Sequence, residues 1–199
     1  MSLKIVDWRG VRGLVAAKQL TDTADSITYD TPFPVCGLAT LSKTTETSSA
    51  TKFYDNAPAI VLTTAGGDEV AIDGSAIDDA TLAKIFGDYY DEDTGLYIEG
   101  EGEVNYWAIG YITKKTDGSE YYVWRLKGKF TRPEVEHATE DDGTDSAGNS
   151  LTYAGIMTQH KFAKTGKAAK AVHIPADKYT AGEAAFFAEV QTPDTIGAT

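Results

Sequence analysis

Two β-rich runs separated by a short turn signal constrain the fold of this chain more than any other feature. Residues 104–116 and 120–130 are dense in aromatic and β-branched side chains, and Asp117-Gly118 stands between them. Asp-Gly between two such runs is a strong short-range signal for a β-hairpin. The sequence therefore predicts an antiparallel hairpin at the centre of the chain.

The second run of this hairpin has two different faces. Side chains alternate across a strand, so one face is apolar and predicts a core. The opposite face ends in a basic stripe of Arg125, Lys127 and Lys129. This stripe predicts contact with solvent or with a neighbouring subunit.

Further elements are short and mostly extended. A helix is predicted over residues 78–86, with Gly87 as its stop, and a second over 184–190 after a capping box at 180–183. Additional strands are predicted at 13–20, 35–45, 60–64, 69–72, 96–99, 151–162 and 171–174. Many short strands with few helices predict a mainly β fold, an antiparallel β-sandwich or barrel with one or two short helices.

Length and composition favour one domain. A chain of 199 residues can bury about 70% of its unfolded surface in a single core. No apolar run approaches the ~18 residues of a membrane span, the first residues lack the apolar region of a secretory signal, and the lone Cys36 excludes a disulfide framework. We expect a soluble intracellular product with a single domain over 1–199 and flexible arms at 1–12 and 191–199.

Charge is distributed in blocks of alternating sign. The net charge is −12, and residues 68–103 contain twelve acidic residues and one basic residue. Residues 133–150 are also acidic, whereas 104–132 and 151–180 are net positive. Such blocks are typical of solvated faces, and they also suit copies that dock acidic segment against basic segment. A protein that grips DNA needs the opposite balance. The role of the acidic stretch 139–150 stays open.

Motifs for catalysis and metal binding are absent from the sequence. It has no nucleophile elbow, no zinc-protease motif and no phosphate-binding loop, and His137, His160 and His173 share no ligand spacing. The best catalytic candidate is the segment 99–103, in which three Glu residues alternate with Gly, as on a strand of a sandwich-fold glycosidase. Gly weakens a strand, so we expect no enzyme. Because no ligand spacing is present, we also expect no metal and no cofactor.

Several segments follow one another along the chain in a specific order. They are Asp22 with Tyr29-Asp30-Thr31-Pro32, Ala50–Ala59, Lys84-Ile85-Phe86-Gly87, Tyr90–Gly95, Ala108-Ile109-Gly110-Tyr111 and Tyr121–Phe130 with its Lys127-Gly128-Lys129. Together these segments resemble the major tail proteins of long non-contractile-tailed phages, the phi13-type family. The resemblance covers most of residues 14–190 and rests on the order of the motifs.

The resemblance implies a structural virion protein of the tail tube. Its subunits form rings, hexamers in this class, that stack into the conduit for DNA ejection. The implied partners are the protein itself and other tail proteins such as the tape measure and the terminator. DNA passes without tight binding and no membrane is involved. The implied location is the virion tail, assembled in the host cytoplasm.

A segment at 44–58 is the predicted subunit interface. It is rich in Thr and Ser and then changes abruptly to Phe53, Tyr54, Asp55 and Asn56, an aromatic pair beside turn formers. Aromatic anchors with a polar rim are typical of interfaces. We predict that this segment and the basic stripe contact neighbouring copies.

Two other functions are also compatible with the sequence. One is a monomeric β-sandwich module that binds carbohydrate or cell wall through exposed aromatic side chains. Its candidates are Tyr106, Trp107, Tyr121, Tyr122 and Trp124. The other is the sandwich-fold glycosidase at 99–103.

Overall fold

The computed structural model describes residues 5–134 and 148–196. Eleven strands, two α-helices and one 3₁₀ helix are assigned in these ranges. The strands are β1 Trp8–Asp22, β2 Ile27–Tyr29, β3 Phe33–Cys36, β4 Leu38–Tyr54, β5 Ala57–Gly74, β6 Tyr89–Asp91, β7 Leu96–Ile98, β8 Trp107–Lys115, β9 Glu120–Glu134, β10 Asn149–Gly155 and β11 Ala171–Pro175. The helices are α1 Asp79–Phe86, the 3₁₀ helix Ala176–Lys178 and α2 Gly182–Ala188.

Nine of these strands form one antiparallel sheet. Its order is β2-β1-β8-β9-β10-β5-β4, with β3 on β1 and β11 on β9. Strands β6 and β7 form a separate two-stranded sheet. The fold is therefore mainly β and sandwich-like, as the sequence predicts.

The predicted central hairpin is the β8–β9 pair. Its turn closes with a hydrogen bond from the Gly118 N–H to the Lys115 carbonyl, and Gly118 takes a φ of +86° that favours glycine. The Asp117 carboxylate accepts hydrogen bonds from the backbone and hydroxyl of Ser119. These local contacts explain why Asp-Gly marks the turn.

Residues 122–128 of β9 are buried on both faces of the strand, so the predicted division into a core face and a face for solvent or a partner is wrong there. One face joins a cluster that includes Leu14, Ile72, Trp107, Tyr111, Val123 and Tyr153. The other joins a cluster that includes Ala108, Ile112, Tyr122, Trp124, Leu126 and Phe186. Helix α2 covers this second cluster, because Phe186 packs in it and accepts the indole N–H of Trp124 at its carbonyl.

The two helices differ in how they begin. In α1 the Asp78 carboxylate accepts the backbone N–H of Thr81, and Gly87 ends the helix in the left-handed region, as predicted. In α2 the capping box does not form, since Ala181 is the N-cap and makes no side-chain hydrogen bond. Glu183 instead binds the guanidinium of Arg12.

The predicted flexible ends are partly built into the fold. Strand β1 begins at Trp8, within the N-terminal segment 1–12 that was predicted to be flexible. Gln191 and Thr192, in the C-terminal segment 191–199, are buried. Residues 1–4 and 197–199 of these two end segments lie outside the described residues. So do 139–147 of the acidic stretch, whereas Asn149 and Ser150 begin β10.

Candidate assembly surface

The longest pairing in the sheet is the hairpin of β4 and β5. The two strands pair from Leu38 with Gly74 to Tyr54 with Ala57. Strand β10 pairs with β5 only as far as Asp68, so the rest of β5 has β4 as its one neighbour within the described residues. Residues 46–64 are all exposed. We call these residues the arm, and at about 3.3 Å per residue it extends roughly 30 Å.

The tip of the arm is a tight turn. Asp55 and Asn56 both have positive φ, 49° and 62°, which is the signature of a type I′ hairpin turn. Asp and Asn tolerate the left-handed region better than other non-glycine residues. The predicted interface residues therefore lie together, with Phe53 and Tyr54 in the last two pairs before the turn.

Within the described part of the chain, no other element covers the apolar side chains of the arm. Phe53 is 65% exposed and Tyr54 is 56% exposed, and three further apolar residues follow on the opposite strand, Ile60, Val61 and Leu62. An isolated two-stranded ribbon is marginally stable in water and needs a third strand or a packing partner. Contiguous exposed apolar groups of this kind mark interaction surfaces.

Buried charges fix the root of the arm. The Asp68 carboxylate on β5 accepts hydrogen bonds from Arg125 at 2.9 Å, from Lys170 at 3.2 Å and from the hydroxyl of Thr45 on β4 at 2.9 Å. Lys170 also donates to the Gly66 carbonyl. Burial opposes ionisation of Asp68, but these hydrogen bonds and the two cations outweigh it and keep its pKa below the ordinary value. These contacts therefore tie the root of the arm to β9 and to the segment that contains Lys170.

Two residues of the predicted basic stripe are not exposed. Arg125 is 5% exposed and Lys127 is 6% exposed, and both pair with acids of the same chain. Lys127 lies 2.5 Å from the Asp22 carboxylate. Only Lys129 is half-exposed, and its ammonium group lies over the ring of Tyr106. The prediction that this face meets solvent or a partner is therefore corrected for Arg125 and Lys127.

A second exposed feature is the segment 88–103, which contains β6 and β7 and which we call the acidic lobe. The side chain of its first residue, Asp88, is fully buried and forms a two-pronged ion pair with Arg132 of β9, with both N–O distances 2.8 Å. Tyr97 donates to the same carboxylate at 2.7 Å, and the Gly100 N–H donates at 3.2 Å. These bonds lower the pKa of Asp88 to about 2, with the Arg132 hydrogen bonds as the main cause.

The carboxylates proposed for the glycosidase alternative do not share a strand face. Residues 99–106 lie between β7 and β8, outside both strands. Glu103 is close to Lys18, at 3.5 Å. The period-2 arrangement that motivated this alternative is therefore not present.

The aromatic residues and histidines that the sequence offered as candidates do not come together in a site. Trp107, Tyr122 and Trp124 of the aromatic set are buried, so the five residues do not form an exposed binding platform. His160 contacts the Ala24 carbonyl through Nδ1, and His173 lies on β11, while His137 is outside the described residues. Within residues 5–134 and 148–196, no group of three or more His, Cys, Asp and Glu side chains could hold a metal ion.

Sequence comparisons add no family assignment. A comparison with models of protein families found no match, and a comparison with curated proteins found none. No helix in the described part of the chain is long and apolar enough to cross a membrane.

Proposed function

We propose that this protein is a structural subunit that assembles with copies of itself, as the major tail protein of a long non-contractile phage tail does. The arm supports this proposal. It presents exposed aromatic and aliphatic side chains on a two-stranded ribbon that no other part of residues 5–134 and 148–196 covers, and the buried ion pairs of Asp68 lie at its root. Such a ribbon gains its missing support when it packs against another copy.

The free edge of β4 supports the same role. This strand is 17 residues long and ends the order of the main sheet, so its outer edge has no partner strand in the described residues. A long open edge is a template for pairing with another chain, and ring closure would use every such edge. The family resemblance supplies the form of the assembly: stacked hexameric rings in a virion tail, with tape measure and terminator proteins as further partners.

Assembly can be tested by changing the tip of the arm. Burying the exposed parts of Phe53 and Tyr54 contributes about 1–2 kcal/mol per side chain, so Phe53→Ser with Tyr54→Ser should abolish rings or tubes. The variant should remain a folded monomer, because neither side chain is in the core. Electron microscopy and gel filtration over a concentration series report the assembly, and circular dichroism reports the fold.

A matched control separates the arm from general surface hydrophobicity. Leu20→Ser with Met157→Ser removes two exposed apolar side chains outside the arm and should leave assembly intact. Normal tubes from the arm variant would contradict the role of the arm. A wild-type chain that stays monomeric at every concentration would instead favour the monomeric binding module.

A further inference from the structure

An apolar groove lies between β1 and β4, two strands that do not pair with each other in the described residues. Strand β3 pairs with β1 only at residues 14–16, so residues 8–13 have β8 as their one partner strand within the described chain. Across the groove, β4 has β5 as its one described partner. Unpaired strand edges beside an apolar groove form a receiving surface for an added strand or hairpin. The groove encloses about 510 Å³, and its apolar lining includes Trp8, Val11, Leu41, Tyr111 and Val123.

The charge beside this groove is positive. Lys43 lines the groove, and none of the described residues in its lining is acidic. Lys115 is paired with Trp8 across β1 and β8, and its ammonium group lies 5.0 Å from the centre of the Trp8 ring. Burial lowers the pKa of His173, another lining residue, and the charges of Arg125 and Lys43 lower it further. The groove therefore suits an apolar segment that carries a negative charge.

The tip of the arm is such a segment. Phe53 and Tyr54 are exposed aromatic side chains, and Asp55 follows them in an exposed turn. Residues 53–59 contain this one acid and no basic residue. Because the turn has only two residues, the tip is as narrow as a hairpin can be, and it fits between two strand edges.

The tip of the arm does not reach the groove of its own chain. Lys43 lines the groove, and Phe53 lies ten residues further along β4, which is a distance of roughly 33 Å. Strands β4 and β5 stay paired from Thr47 with Ala65 to Tyr54 with Ala57, so the arm does not fold back on its root. A tip that enters the groove must therefore come from another copy.

We propose that the groove binds the tip of the arm of a second copy of the chain. The aromatic side chains of the tip pack against the apolar walls, and Asp55 brings the negative charge that Lys43 and Lys115 attract. Groove and tip are different surfaces, so each copy can give its arm to one neighbour and receive an arm from another. This inference rests on the proposed function, because it names the surface that receives the arm of the same self-assembling subunit.

Two full-length variants test this contact by complementation. The tip variant carries Phe53→Ser and Tyr54→Ser and keeps an intact groove. The groove variant carries Trp8→Ser and Lys43→Glu, both at exposed side chains, and keeps an intact tip. Neither variant can make the contact with itself, but the tip of the groove variant can enter the groove of the tip variant. Sedimentation equilibrium measures each variant alone and an equimolar mixture, and circular dichroism reports the fold of each.

We expect the mixture to form a one-to-one complex at least tenfold more tightly than either variant associates alone. Larger species should be absent, because the complex has no second pair of intact surfaces. A control variant with Leu20→Ser and Lys161→Glu loses the same kinds of exposed side chain outside the groove and should assemble like the wild type. Ala39→Arg fills the groove from another exposed lining residue and serves as a second groove variant.

Tryptophan fluorescence shows whether the groove itself is filled. Trp107 and Trp124 are buried, whereas Trp8 is 62% exposed. The groove variant lacks Trp8, so the exposed tryptophan of the mixture lies in the groove of the tip variant. Its emission should shift to shorter wavelength when the groove variant is added.

Several outcomes overturn the proposal. One is a mixture that binds no more tightly than its components, and another is binding without a change in the Trp8 emission, which would place the arm on a different surface. A shift of this emission in the tip variant alone also overturns it, because another segment, such as the acidic lobe, would then fill the groove. Normal tubes from the groove variant, beside a monomeric tip variant, refute the groove and leave the proposed function standing. Normal tubes from the tip variant refute the role of the arm itself.

Discussion

The ion pair between Asp88 and Arg132 gives a sharp test of how the acidic lobe is held on the sheet. Asp88→Asn keeps the shape of the side chain and removes its charge. The Asp88 carboxylate is fully buried and accepts four hydrogen bonds, two from Arg132 and one each from Tyr97 and the Gly100 N–H. Removing the charge weakens all of these contacts together.

The size of the effect follows from the pKa of Asp88. Folding lowers this pKa from the ordinary value of 3.8 to about 2, and each unit corresponds to 1.36 kcal/mol, so the charge contributes about 2.5 kcal/mol at neutral pH. Arg132 remains 40% exposed, and water screens part of the attraction. We therefore expect Asp88→Asn to lower the free energy of unfolding by about 1.5–2 kcal/mol at pH 7.

The pH dependence has a defined sign. Because the pKa is lowered on folding, the stabilisation is complete above the unfolded value of 3.8 and is lost as the pH falls through about 2. The difference between wild type and Asp88→Asn should be constant from pH 7 to pH 5 and should fall to about half by pH 3.

Urea unfolding at pH 7, 5, 4 and 3 measures this difference directly. Glu101→Gln changes an exposed carboxylate of the same segment and serves as the control. Equal stability of Asp88→Asn and wild type at pH 7 would refute the reasoning. So would a difference that stays constant down to pH 3, because it would then come from packing and not from charge.

Two further outcomes are expected. Gly128→Ala should destabilise the chain by about 3 kcal/mol in thermal unfolding, because a Cβ there would lie 2.3 Å from the ring of Tyr153, whereas Gly100→Ala, with open space around it, should have little effect. In a gel-shift assay at physiological salt, micromolar protein should not shift a linear DNA duplex, because the net charge is −12; a clear shift would contradict the proposed conduit.

The central hairpin and the first helix were predictable because their signals are local. Asp117-Gly118 fixes a turn through contacts within three residues, and Asp78 and Gly87 mark the two ends of α1 through contacts within four. Hydrogen bonds of this kind join residues that are neighbours in the sequence. They therefore do not depend on which other elements pack against the turn or the helix.

The burial of Arg125 and Lys127 could not be predicted in the same way. Alternation along β9 separates its two faces but does not say what covers either of them. Their partners, Asp68 and Asp22, are 57 and 105 residues away in the sequence. The sequence of β9 alone therefore predicts an exposed basic stripe, because it does not show that distant carboxylates pair with these cations.

The arm was predicted as a contact segment but not as a continuous ribbon. Its first strand is mostly polar over residues 46–52 and its second begins with the apolar run 57–62, so neither strand shows the alternation that marks a half-buried strand. The available signal was Asp55-Asn56 itself, a pair of turn formers between these two runs. The pairing register of such a ribbon is set by its turn and by the surface against which it packs.

The placement of the cations bears on how an acidic subunit could form a conduit for DNA. Arg125 and Lys127 are neutralised inside the chain, so neither can reach a phosphate. The exposed cations Arg9 and Lys114 lie together in a cleft near Gly118, at the turn end of the central hairpin. Each copy has a net charge of −12, so a passage built from many copies would repel the DNA backbone.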